Sequence, residues 1–218
     1  MNVLDLNLKK RKTMRTESIT IYKFDELSEK AKEKAIEWYR SDGFNYEWWD
    51  AVYEDAKEIG KIMGITIERI FFSGFWSQGD GACFEGSYKY EVGSVKNLKA
   101  YAPQDKMLHQ IAIDLSKAQQ PAFYKLFAII KQQGTYLHEM STVVETHDMD
   151  EICAYDVVER LSEDITEALR DFMRWIYRSL KKEYEWLSGN EQITETIRRN
   201  AYEFTINGEL YIPIKAVA

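Results

Sequence analysis

The sequence predicts an α+β fold: an antiparallel sheet of about five strands packed against helices, one of them long. Three observations carry that reading. Phe84, Gly86, Tyr88 and Tyr90 alternate with Cys83, Glu85, Ser87 and Lys89, the period of a half-buried strand. Val158, Leu161, Ile165, Leu169, Phe172, Ile176, Leu180, Tyr184 and Leu187 recur at three- and four-residue steps, which makes one helix over about 154–187. Asn207-Gly208 separates two β-prone runs, the strongest short-range mark of a hairpin, because a type I′ turn needs positive φ twice.

Taken in order, residues 1–17 read as a flexible basic tail carrying Lys9-Lys10-Arg11-Lys12, and residues 18–218 as a single α+β domain from which a helical region over 104–200 can project. Ile19 to Tyr22 is a natural strand. Asp25 or Ser28 can cap the helix that follows by accepting a free backbone N–H. Leu27, Ala31, Ala35 and Trp38 fall on one face of it, and Ser41-Asp42-Gly43 stops it. A second helix runs from Tyr46 to Met63 on the stripe Trp48, Val52, Ala56, Ile59 and Met63, closed by Gly64. So short a connection predicts an antiparallel pair of helices. Ile65 to Phe72 and Ala82 to Val92 are two strands joined by a glycine loop, and Gly93 to Ala102 reads as irregular. Leu108, Ile111 and Leu115 mark a helix over 104–117. Pro121 suits the first turn of another, with Phe123, Leu126, Phe127 and Ile130 inward and Gly134 at its end. Tyr136 to Thr146 alternates as a third strand, His147 to Cys153 is an acidic turn, and a short helix spans 191–199 before the closing hairpin, Tyr202–Ile206 with Glu209–Ile212.

The totals exclude several function classes. A net charge of −7 over 218 residues argues against direct nucleic-acid binding, which needs a basic face. The same charge suits docking onto a basic partner, including a protein that itself holds nucleic acid. Two cysteines, Cys83 and Cys153, make no disulfide framework, and no secretory signal or membrane-length apolar run is present. A cytoplasmic protein with reduced thiols and no membrane partner is expected.

No catalytic constellation emerges, and neither a metal nor a cofactor is expected. His147, Asp148, Asp150 and Cys153 match no zinc or calcium spacing and read as the acidic first turn of the long helix. Gly79-Asp80-Gly81 lacks the phosphate-loop spacing and its lysine. Ser73 and Ser77 have no neighbouring histidine and no Gly-x-Ser-x-Gly elbow. His138 and Glu139, as neighbours in a strand, should point to opposite faces. What remains is a binding tip made of Phe75, Trp76, Ser77, Gln78 and Asp80, where tryptophan is the residue type that dominates hot spots. Trp48 and Trp49 are consecutive, so a helix cannot bury both equally. A stripe of Arg170, Arg174, Arg178, Lys181 and Lys182 on the long helix suits an acidic partner.

Two segments carry a resemblance. The opening Tyr22-Lys23-Phe24-Asp25-Glu26-Leu27-Ser28, with Tyr46-Glu47-Trp48-Trp49 after it, and the run Phe72-Ser73-Gly74-Phe75-Trp76-Ser77-Gln78-Gly79-Asp80-Gly81-Ala82 resemble an uncharacterised family encoded by bacteriophages and prophages. Some of its members carry the label "antitoxin of toxin–antitoxin stability system". The resemblance covers residues 19–92 and touches the closing hairpin at Tyr202, Phe204, Asn207-Gly208 and Tyr211. It implies a phage or prophage accessory protein, without catalysis, in the cytoplasm of a bacterial host. Such a protein would bind and neutralise a host protein, either a nucleic-acid-binding defence complex or a toxin, as an anti-defence or anti-CRISPR-type inhibitor or in the manner of an antitoxin. Two alternatives stand beside it: a small hydrolase or nuclease using Asp80 with Glu85 or His138, and a nucleic-acid-binding regulator using the Lys9–Lys12 tail.

Overall fold

The computed structural model describes residues 18–44, 46–150 and 153–213, so the basic tail and its Lys9–Lys12 cluster lie outside the described residues. In chain order the elements are β1 (Tyr22–Lys23), α1 (Glu29–Asp42), α2 (Asp50–Met63), β2 (Ile65–Phe72), β3 (Ala82–Lys89), α3 (Ser94–Tyr101), α4 (Lys106–Gln119), β4 (Leu126–Gln132), β5 (Thr142–Asp148), α5 (Tyr155–Leu187), α6 (Asn190–Arg199) and β6 (Glu203–Phe204). The fold is α+β, with antiparallel sheets in the order β2-β3-β4-β5 and β1-β6. Contacts sort the chain into two compact units, Met1–Asn45 with Gly189–Ala218, and Tyr46–Ser188. The two helices expected to form a hairpin fall in different units: α1 packs on α6 in the first, while α2 packs on β2, α3 and α5 in the second.

In the first unit Ser28 is the residue that caps α1, accepting from Ala31 N at 3.4 Å. Asp25 instead meets Arg198 at 2.6 Å. Ala31, Ala35 and Tyr39 of α1 and Ile193 and Ile197 of α6 enclose Phe204, with Phe24 edge-on at 6.5 Å. The expected strand at 19–22 shrinks to Tyr22–Lys23, which pairs with β6 and not with the main sheet. The Asn207-Gly208 hairpin forms, but only Gly208 takes positive φ (79°). Gly208 N donates to Thr205 O at 2.9 Å and Thr205 N to Glu209 O at 2.8 Å. This is a longer hairpin loop ending on a left-handed glycine rather than the I′ turn. A side chain at 208 would lie 2.1 Å from Ala31 O, so the glycine also lets the hairpin press on α1.

In the second unit one face of the four-stranded sheet is covered by helices. Phe84, Tyr88, Leu126, Ala128 and Ile130 are buried with Ile165, Leu169, Phe172 and Ile176 of α5, and Phe84 meets Phe172 edge-on at 5.9 Å. Burial of side chains this size stabilises by roughly 1.5–3 kcal/mol each, which is why α5 keeps its 3.6-residue stripe through the sheet contact. The strands leave Ser87, Lys89, Val143, Glu145 and His147 exposed, as one-sided antiparallel sheets do.

Several elements of this unit differ from the reading of the sequence. The segment at 94–101 is a helix, α3, with Leu98 buried and Gly93 as its N-cap (φ 80°). The helix expected after Pro121 is instead a 3₁₀ turn, Gln120–Ala122, followed by β4. Phe123 and Tyr124 take positive φ (51° and 63°) and turn the chain between them. Phe127, Ile129 and Ile130 favour the pleated surface, and burial alternates along β4. β5 covers 142–148 rather than 136–146. Its register is set by β4, from Leu126 opposite Asp148 to Gln132 opposite Thr142, and one further bond, Gln133 N to Ser141 O at 2.7 Å, precedes it. β3 also ends at Lys89, short of Val92, where Tyr90 leaves the ladder to stack on Tyr124 at 4.3 Å.

Candidate functional site

The connection between β2 and β3 is a tip with its own internal bonding. Ser73 N donates to Gly81 O at 3.1 Å and Gly81 N to Ser73 Oγ at 3.3 Å, which clasps its base. Asp80 turns inward, and its Oδ2 accepts Trp76 N at 2.8 Å and Ser77 N at 2.7 Å. A carboxylate taking two backbone donors fixes the turn between them. Tyr177 of α5 donates its hydroxyl to Gly74 O at 3.3 Å. Burial, then the charge of Asp80, holds the Tyr177 phenol above its ordinary pKa, so it stays a donor at neutral pH.

Phe75 anchors the tip. Its ring stacks on Phe72 at 5.9 Å and lies 6.1 Å from Trp48, 5.6 Å from Tyr177 and 5.3 Å from Tyr184. Trp48 and Trp49 precede α2, which starts at Asp50 rather than Tyr46, so helix geometry does not separate them. Both are half-buried and reach Phe72, at 5.7 and 5.6 Å. The next residue is the opposite case: Trp76 is 71% exposed, with Lys181 Nζ 5.0 Å from its ring, a cation–π contact. Ser77 and Gln78 are exposed beside it. The five residues read from the sequence thus share one tip but divide its work: Phe75 and Asp80 hold it, and Trp76, Ser77 and Gln78 present it.

The flank of the tip was only partly legible. A side chain at position 81 would lie 2.6 Å from the His138 ring, so glycine is required there for the approach of the 134–141 segment. His138 and Glu139 are not in a strand, and they meet. His138 Nδ1 lies 2.9 Å from Glu139 Oε2 and 3.2 Å from Met140 N. One ring nitrogen serves both: protonated it donates to Glu139, and neutral it accepts from Met140 N. Arg174 Nε donates to Glu139 Oε1 at 3.0 Å, and its Nη1 reaches Glu167 at 2.7 Å and Asp171 at 2.8 Å. These bonds, that to Glu167 foremost, raise its pKa further. Asp80 and His138 therefore flank Gly81, each with its own partners, while Glu85 stands on β3 opposite Arg69 of β2.

The described residues of the acidic turn take separate partners. His147 stacks on Phe127 at 5.0 Å, Asp148 accepts from Asp150 N and Cys153 N, and Asp150 pairs with Lys125 at 3.1 Å. Residues 151 and 152 of that turn lie outside the described residues. Among the described residues no group of three or more His, Cys, Asp or Glu is placed to hold a metal ion, and no helix is long and apolar enough to cross a membrane. A family model described as a domain of unknown function (DUF8835) matches residues 48–190, more than half of the chain and nearly the span of the second unit. No curated protein and no solved structure matches the chain.

Proposed function

The chain belongs to the DUF8835 family, and we propose that it works by binding another protein through the 73–81 tip, as a phage or prophage accessory protein that neutralises a host protein. The observation that carries the reading is the pairing of an exposed Trp76 with an anchored Phe75 and an inward Asp80. A large aromatic held outward on a fixed turn loses little conformational entropy on docking, which is the character of a hot spot. Lys181 beside the ring and Arg178 one turn earlier on α5 call for an apolar pocket rimmed by carboxylates on the partner. The phage and inhibitor parts of the reading rest on the resemblance of the Phe72–Ala82 run.

The test is capture from bacterial lysate by the immobilised chain, repeated with Trp76→Ala. The wild-type chain should retain a stoichiometric host protein. The variant should bind it about 30-fold or more weakly, corresponding to a hot-spot loss of about 2 kcal/mol, with an unchanged unfolding midpoint. Equal retention by Trp76→Ala, or loss of its fold, would remove the tip from the docking site.

A further inference from the structure

A second feature lies at the opposite end of β3 from the tip. We infer that the mouth of α3 binds the phosphoryl group of a phosphomonoester. A pocket of about 440 Å³ opens there, lined by Tyr90, Ser94, Val95, Lys96, Lys99 and Ser116, with Gly93 at its base. No carboxylate lines it, in a chain whose net charge is −7. The helix is uncapped by any side chain. Ser94 N is used by Glu91 O and Asn97 N by Gly93 O, which leaves the N–H groups of Val95 and Lys96 without an acceptor among the described residues.

Ser94 supplies the independent observation. It is 5% exposed, it lines the pocket, and its hydroxyl has no hydrogen-bond partner among the described residues. The residue is buried but its oxygen is not an enclosed unpaired atom; it opens on the pocket, where a ligand oxygen can accept its proton. Free N–H groups, the positive end of the helix and an adjoining hydroxyl together form an anion cradle. Lys96 and Lys99, one turn apart and paired with no carboxylate among the described residues, supply the charge a dianion requires. Tyr90, braced by Tyr124 at 4.3 Å, forms an apolar wall against which the organic part of an ester can rest. The volume suits a small phosphorylated molecule.

The experiment is an NMR titration of the full chain with inorganic phosphate and with phenyl phosphate at fixed ionic strength. Both should give saturable shifts at the Val95 and Lys96 amides, and phenyl phosphate should bind more tightly because its ring meets Tyr90. The Lys96→Ala/Lys99→Ala variant, its helix content checked by circular dichroism, should bind roughly tenfold more weakly or worse, and Ser94→Ala should weaken binding as well. Absence of saturable shifts in the wild-type chain, or binding unchanged in the double variant, would overturn the site. Equal affinity for the two probes would overturn its assignment to an ester.

Discussion

Cys83 shows how a single side chain on β3 sets a pH limit. It is fully buried, and burial pushes its thiol up to about 11, with Glu85 and Glu139 adding repulsion and a hydrogen bond with Thr142 opposing. The folded chain therefore holds this proton more tightly than the unfolded chain, where a thiol titrates near 9.0. The stabilisation is whole below pH 9 and is lost as pH rises through about 11, a loss of about 2–3 kcal/mol. Urea unfolding across that window should show a steep fall in the wild-type chain and a shallower one in Cys83→Ala. Parallel curves for the two would show that the thiol titrates normally in the fold. Tyr53, pushed up to about 12 mainly by burial, adds its own fall above pH 10 in both proteins. Residue environments of this kind were the least legible part of the sequence. The type of residue at 76 was plain, but its exposure depends on α5, whose Lys181 is distant in sequence and only the folded chain brings to the ring.

At the scale of elements, Gln119 explains why a strand begins where the sequence suggested a helix. It is completely buried at the end of α4. Its Nε2 donates to Leu126 O at 2.8 Å and its Oε1 accepts Leu126 N at 3.1 Å. One amide side chain thus satisfies both polar groups of the first residue of β4. Gln119→Leu would bury both groups unpaired and should lower stability by about 1–3 kcal/mol, with lost hydrogen-exchange protection at Leu126. A change under about half a kcal/mol, the range of neutral surface substitutions, would show that water replaces the side chain. The helices with long apolar stripes and clear stops, α1, α2, α4 and α5, were legible because burial follows the period over many turns. β4 was not, since Phe123, Leu126, Phe127 and Ile130 fit a helical face while Leu126, Ala128 and Ile130 fit a strand, and a short apolar run does not decide between them. α3 has eight residues, of which Ser94 and Leu98 are buried, too few to establish a period.

On the scale of the whole molecule, the described residues hold two buried clusters that share no residue. The signal at 207–208 marked a hairpin, though with a longer loop than a type I′ turn and shorter arms than 202–206 and 209–212; a turn motif also says nothing about which strand its arms will meet, and the arm at β6 pairs with β1. Phe204 sits at the centre of the smaller cluster. Phe204→Ala should cost that unit about 3–5 kcal/mol. Hydrogen exchange should then accelerate at Ala35 and Ile197 while Phe84 and Leu169 keep their protection. Simultaneous loss at all four would mean that the two clusters unfold as one cooperative body. The strand order has a further consequence for how copies of the chain meet one another. β2 and β5 stand at the sides of the larger sheet, where unpaired ladder groups would template growth of a second molecule's strand. β2 carries Glu68 as the extra residue of a bulge and Arg69 after it, and β5 carries Glu145, His147 and Asp148. Charged, bulged borders frustrate edge-to-edge stacking, so the chain can display a bare indole at its tip without turning its own sheet into a seed for aggregation.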